Sequence, residues 1–172
     1  RVLFRSRRLA GDVALTRAGF DTWTLTAQAG GGRPRVGYFG SLSTMRTDRF
    51  LDQVSLSNLH NAGGFGRGFG RFDYHPSDRG WVRLHGMGGR SRFQLANLRS
   101  QQAAGQDQQQ VLADAAVWLA VGRVLGPRTT VEGVAGYRHT TSRLEPSPGD
   151  TPVTASQQRA LTTVTARSEE HT

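Results

Sequence analysis

The chain contains no cysteine and no lysine. The first absence excludes a disulfide framework and a thiolate zinc site. The second leaves arginine as the only strong cation among 172 residues, as a GC-rich genome would produce. Long apolar runs are missing as well. The longest, AVWLAV within Ala115–Val121, falls far short of the roughly 18 to 20 residues that a membrane-spanning helix needs, so helical spans are excluded. No secretory leader is visible, which decides nothing about compartment.

What is present is a formal net charge of +9, a balance that points toward nucleic acid or an anionic membrane surface. The two ends are related in a way that bears on that count. RVLFRS (Arg1 to Ser6) is encoded by CGT GTG CTC TTC CGA TCT, and the reverse complement of that word encodes RSEEHT (Arg167 to Thr172). The word looks like a sequencing-library adapter. Residues 1–6 and 167–172 are therefore expected to be adapter-derived, with the natural part running from Arg7 to Ala166, still basic after trimming.

Hydrophobic periodicity is that of β-strands. In DTWTLTAQA (Asp21–Ala29), Trp23, Leu25 and Ala27 share one face while Thr22, Thr24, Thr26 and Gln28 share the other. Val36, Tyr38, Gly40 and Leu42 repeat the pattern. Further strands are expected near Phe65–Tyr74, Trp81–Gly89, Leu112–Leu125, Thr130–Leu144 and Arg159–Ala166, about seven in all.

The connections carry more information than the strands. GGGRPR (Gly30–Arg35), HPSDRG (His75–Gly80) and GPRT (Gly126–Thr129) have tight-turn chemistry, whereas Met45–Gly64, Ser91–Gln110 and Glu145–Gln158 are long and polar. Short and long links thus alternate. A transmembrane β-barrel has that order, with short turns on one rim and long loops on the other, and strands of roughly 9 to 15 residues are long enough to cross a bilayer when tilted. The expected fold class is all-β, an antiparallel transmembrane β-barrel fragment forming an open, curved meander sheet. Gly66, Gly68, Gly70, Gly86 and Gly88 dilute its outward face.

GGFGRGFGRF (Gly63–Phe72) has two readings. As a strand it places Arg67, Phe69, Arg71 and Asp73 toward a polar lumen and Gly68, Gly70, Phe72 and Tyr74 outward. As an RGG-like tract the same arginines and phenylalanines would contact phosphates and stack on bases. The repeat stops at Phe72 and leads into a turn and another strand, which favours the first reading.

The motifs RFLD, NLHN, RFDYHPSD, GRSRF, AAGQDQ and SPGDTPVTASQ, spread over most of Arg7 to Ala166, resemble the barrel of TonB-dependent outer-membrane receptors. The resemblance implies a bacterial outer-membrane location and energy-coupled uptake of a scarce solute of siderophore, vitamin or carbohydrate type through a plugged barrel. It also implies outer-membrane lipid and the TonB energy-transducing complex as partners, the latter through an N-terminal plug region outside this sequence. A passive, porin-like barrel and a basic RGG-like nucleic-acid-binding protein are the alternatives.

No catalytic constellation, cofactor motif or metal-ligand spacing is legible, and an enzyme is not expected. His60, His75, His85 and His139 are read as loop, turn and strand-surface residues. GGFGRG and GMGGR do not open helices, so they lack the context of phosphate loops. Glu132 with Asp114, and Asp48 with Asp52, are carboxylate pairs with nothing to fix their geometry. Trp23, Tyr38, Tyr74, Trp81 and Tyr137 are candidates for interfacial girdles. The ligand-binding residues are not identified; ligand selectivity is expected in polar loops such as DTPVTAS and AAGQDQQQ, with Gln106–Gln110 a solvated loop tip.

Overall fold

A computed structural model describes residues 8–150 and 152–171 of the chain. The initial adapter-like segment and Thr172 lie outside the described residues. Almost everything is strand: β1 (Ala10–Ala18), β2 (Thr22–Arg33), β3 (Val36–Thr47), β4 (Gly63–Ser77), β5 (Gly80–Gln94), β6 (Gln109–Val124), β7 (Thr130–Glu145) and β8 (Gln157–His171). The one helix among the described residues, α1 (Arg99–Ala103), is five residues long. Each strand pairs antiparallel with the next in chain order, giving a single eight-stranded meander sheet. The sheet is open, with β1 and β8 as its edges.

Eight strands are found where about seven were expected. The additional one, AGDVALTRA, pairs with β2 from Ala10↔Gly30 to Ala18↔Thr22. As an edge strand it has every residue exposed, so no buried stripe announces it. The alternation of connections also needs correction at this point. The β1–β2 turn at 19–21 is short yet lies on the rim of the long loops 48–62, 95–108 and 146–156, while 34–35, 78–79 and 125–129 form the other rim. In that turn Phe20 and Asp21 adopt φ of 57° and 47°, the left-handed pair typical of primed hairpin turns. Asp48 donates its backbone N–H to the Phe20 carbonyl at 2.8 Å, fastening the turn to the first long loop.

Strand β8 continues through Arg167 to His171, paired with the start of β7. Backbone ladders accept any residue that is not proline, and the ion pair between Arg167 and Glu169 supports this extension locally.

Register assigns every strand residue to one of two faces. One face carries Leu15, Leu25, Leu42, Tyr38, Phe72, Leu84, Val117, Leu119, Val121 and Val164 with interspersed glycines. The opposite face carries Thr24, Thr26, Gln28, Ser41, Ser43, Arg67, Asp73, Arg83, Asp114 and Arg138. This confirms the alternation expected for β2, β3 and β4, including the glycine-diluted side of GGFGRGFGRF. Among the described residues no second layer covers the apolar face. Phe93 and Ala116 are the only buried hydrophobic residues among those described, while Val13, Leu42, Leu119 and Val164 are all exposed. Ordinary globular proteins do not leave so broad an apolar surface to water.

Candidate functional site

Two regions concentrate polar chemistry: the polar sheet face and the crown of three long loops. On the face, Arg67, Gly89 and Asp114 occupy one register row across β4, β5 and β6. The absence of a side chain at Gly89 makes room for both neighbours, since a Cβ there would lie 3.2 Å from Cβ of Arg67 and 3.4 Å from Oδ1 of Asp114. Closer to the short-turn rim, the Arg71 guanidinium donates to both oxygens of Asp73 at 2.6 and 2.9 Å, and Arg83 Nε stands 3.5 Å from the same carboxylate. Phe39, Phe69 and His85 form a chain of ring contacts beside these charges. A groove of about 450 Å³ runs across this side, walled by Asp12, Gln28, Ser41, Arg67, Phe69 and Met87. The groove thus offers hydrogen-bonding groups and aromatic edges side by side.

The loop crown is an interlocked hydrogen-bond structure. His60, at φ 53°, turns its ring so that Nδ1 lies 2.8 Å from the Leu95 carbonyl oxygen and Nε2 lies 2.6 Å from Oδ1 of Asp107. A carbonyl only accepts, so Nδ1 is the donor to Leu95, which leaves Nε2 to meet the Asp107 carboxyl. The hydrogen bond from His60, reinforced by Gln109, holds the Asp107 carboxyl below the usual carboxylate range against a smaller opposing effect of burial. Asn97, 2% exposed, takes the Leu59 carbonyl with its backbone N–H and the Gln106 carbonyl with Nδ2 at 2.7 Å. Asn61, also 2% exposed, exchanges hydrogen bonds with the backbone of Leu51 in both directions. In the third loop Asp150 accepts from the Ser147 backbone and hydroxyl, and Gln108 Nε2 bridges Asp150 and Thr154.

Several expectations change on this geometry. Gln106–Gln110 is not a solvated tip: Gln106 is buried, Gln108 joins two loops, and Gln110 donates to Ser142 on β7. The reason is that the loops fold back onto one another and not away from the sheet. His60 is no plain loop residue but a junction between loops. Of the girdle aromatics, Trp23, Tyr38, Tyr74 and Tyr137 lie on the apolar face, whereas Trp81 lies on the polar face over Gly122. Asp114 and Glu132 share a face, but Glu132 pairs with Gly122, eight positions from Asp114 and about 26 Å along β6. They form no pair. No group of three His, Asp or Glu side chains suited to a metal ion occurs among the described residues.

The signal that sequence reasoning passed over is the clustering of Asn, His, Gln and Asp in NLHN and AAGQDQ, the residue types that cap and cross-link irregular backbone. No helix among the described residues is long and apolar enough to cross a membrane, a statement that does not extend to strands. Comparison with known proteins finds no matching family model, no matching curated protein and no matching solved structure.

Proposed function

We propose that this chain is part of an outer-membrane β-barrel of the TonB-dependent receptor type, importing a scarce solute that is captured by the loop crown and passed along the polar face. The observation that carries this reading is the segregation of an unbroken antiparallel meander into one apolar and one polar face, in strands of 12 to 16 residues from β2 to β8. Lipid would cover the first face and water the second. Three long loops on one rim, stiffened by buried Asn61, Asn97 and Asp150, suit a capture surface better than open coil would. Energy coupling and the TonB partner rest on the motif resemblance.

The test is to fold the chain into phosphatidylcholine vesicles and follow strand formation and protease protection. Protected strands with cleavable loops are expected; a soluble, monodisperse, strand-rich species without lipid or detergent would overturn the reading. Steady ion conductance across a planar bilayer, undiminished without an energy source, would favour a passive barrel instead.

A further inference from the structure

On the apolar face, at the long-loop rim, the chemistry changes to cationic. Arg46 on β3, Gly64 on β4, Arg92 on β5, Val111 on β6 and Arg143 on β7 form one register row, and Arg90 stands two residues below Arg92 on the same face. Between Arg46 and the β5 arginines, β4 offers Gly64 and Gly66, so its backbone floors an open groove of about 570 Å³ walled by Arg46, Arg90, Arg92 and Gln109. At Gly64 the floor has to stay bare, because a Cβ would meet the Met45 carbonyl oxygen at 2.5 Å. Two strand spacings of about 4.8 Å separate Arg46 from Arg92, a distance that extended guanidinium groups close around one tetrahedral anion.

The arginines differ in how they are held. Arg92 is fixed by Gln109 Oε1 at 2.9 Å and Glu145 Oε2 at 3.1 Å, and Arg143 lies 3.7 Å from the same carboxylate. Arg46 and Arg90 are exposed and have no ion pair or side-chain hydrogen bond among the described residues. One carboxylate thus faces four cations. Immediately toward the other rim, the same face turns apolar at Leu25, Leu42 and Val117.

We propose that this groove binds the phosphate of an anionic lipid headgroup, with Arg46 and Arg90 donating to the phosphate, Arg92 holding the floor's edge, and the acyl chains lying along the apolar face. The inference rests on the membrane reading above and adds a partner to it. Charge complementarity selects an anion, guanidinium geometry suits a phosphate, and the adjoining hydrocarbon-like surface selects a lipid over a free ion.

The experiment compares the full chain in phosphatidylcholine vesicles with and without phosphatidic acid, measuring by native mass spectrometry the lipid retained after detergent extraction. Retention of phosphatidic acid over phosphatidylcholine is expected. Each arginine is expected to contribute about fivefold, so the Arg46→Gln/Arg90→Gln variant loses on the order of 25-fold. Arg123→Gln, on the same face at the opposite rim, retains the preference. Equal retention by the double variant, or displacement of phosphatidic acid by excess inorganic phosphate, overturns the inference. Insertion without lipid preference overturns it alone, whereas failure to insert into either vesicle overturns the membrane reading and this inference together.

Discussion

His60 Nε2 lies 2.6 Å from Oδ1 of Asp107 and so links two loops whose residues are 47 positions apart in the chain. Asp107 has its pKa lowered, first by this hydrogen bond and then by Gln109. A carboxyl that ionises more readily folded than unfolded contributes stability that is complete above the unfolded value of about 3.9 and disappears as pH falls through the lower folded value. Amide exchange at Leu95, whose N–H is bonded to the Gln108 carbonyl, is therefore expected to accelerate as pH drops below about 4, after correction for intrinsic exchange. In Asp107→Asn the acid-specific acceleration disappears and protection at neutral pH falls, by about 1 kcal/mol for a half-exposed charge-assisted bond. Acid dependence identical in wild type and variant would sink this assignment.

Asn97 is the most enclosed polar side chain of the crown, and its loss leaves the Gln106 carbonyl without its donor. Asn97→Ala is expected to weaken the crown by about 1 to 3 kcal/mol, the usual consequence of an unsatisfied buried acceptor. Protease cleavage within loops 48–62 and 95–108 would report it. Unchanged cleavage in the variant would mean that the loops are held by the strand ends alone.

The division of faces was legible because a strand's side chains alternate strictly, so Trp23, Leu25 and Ala27 declare their common side without any tertiary information. The strand β1 was less legible. AGDVALTRA alternates too, but Arg17 interrupts its apolar side opposite Trp23, and it is stabilised on one side only, by β2. The crown was least legible. Burial of Asn61, Asn97 and Asp150 depends on partners in other turns of the chain, such as Gln108 reaching Asp150 across 42 positions, and no local period encodes that.

Gly136 faces Trp118 on the neighbouring strand, and a Cβ at Gly136 would fall 2.5 Å from Cδ1 of the indole. The pairing shields a glycine that would otherwise leave a gap in the sheet. Gly136→Ala is expected to destabilise the folded sheet by about 1 to 3 kcal/mol through overpacking. The same alanine in a Trp118→Leu background should cost markedly less, because the smaller side chain yields. A denaturation midpoint shift of equal size in both backgrounds would show that the indole does not set the constraint.

Val117 sits midway along β6 on the apolar face, in one row with Gly86, Tyr137 and Val164. Thr26 sits on the opposite face of β2, between Ala14 and Ser43. If lipid covers the first face and water the second, a cation introduced at these positions must have unequal consequences. Val117→Arg is expected to disfavour insertion into phosphatidylcholine vesicles by about 2 to 4 kcal/mol, the cost of an arginine near the bilayer midplane, while Thr26→Arg should change it little. Both positions are exposed strand sites, so loss of core packing cannot produce the difference. Equal effects at the two sites would assign the apolar face to contact with protein and remove the membrane as its partner.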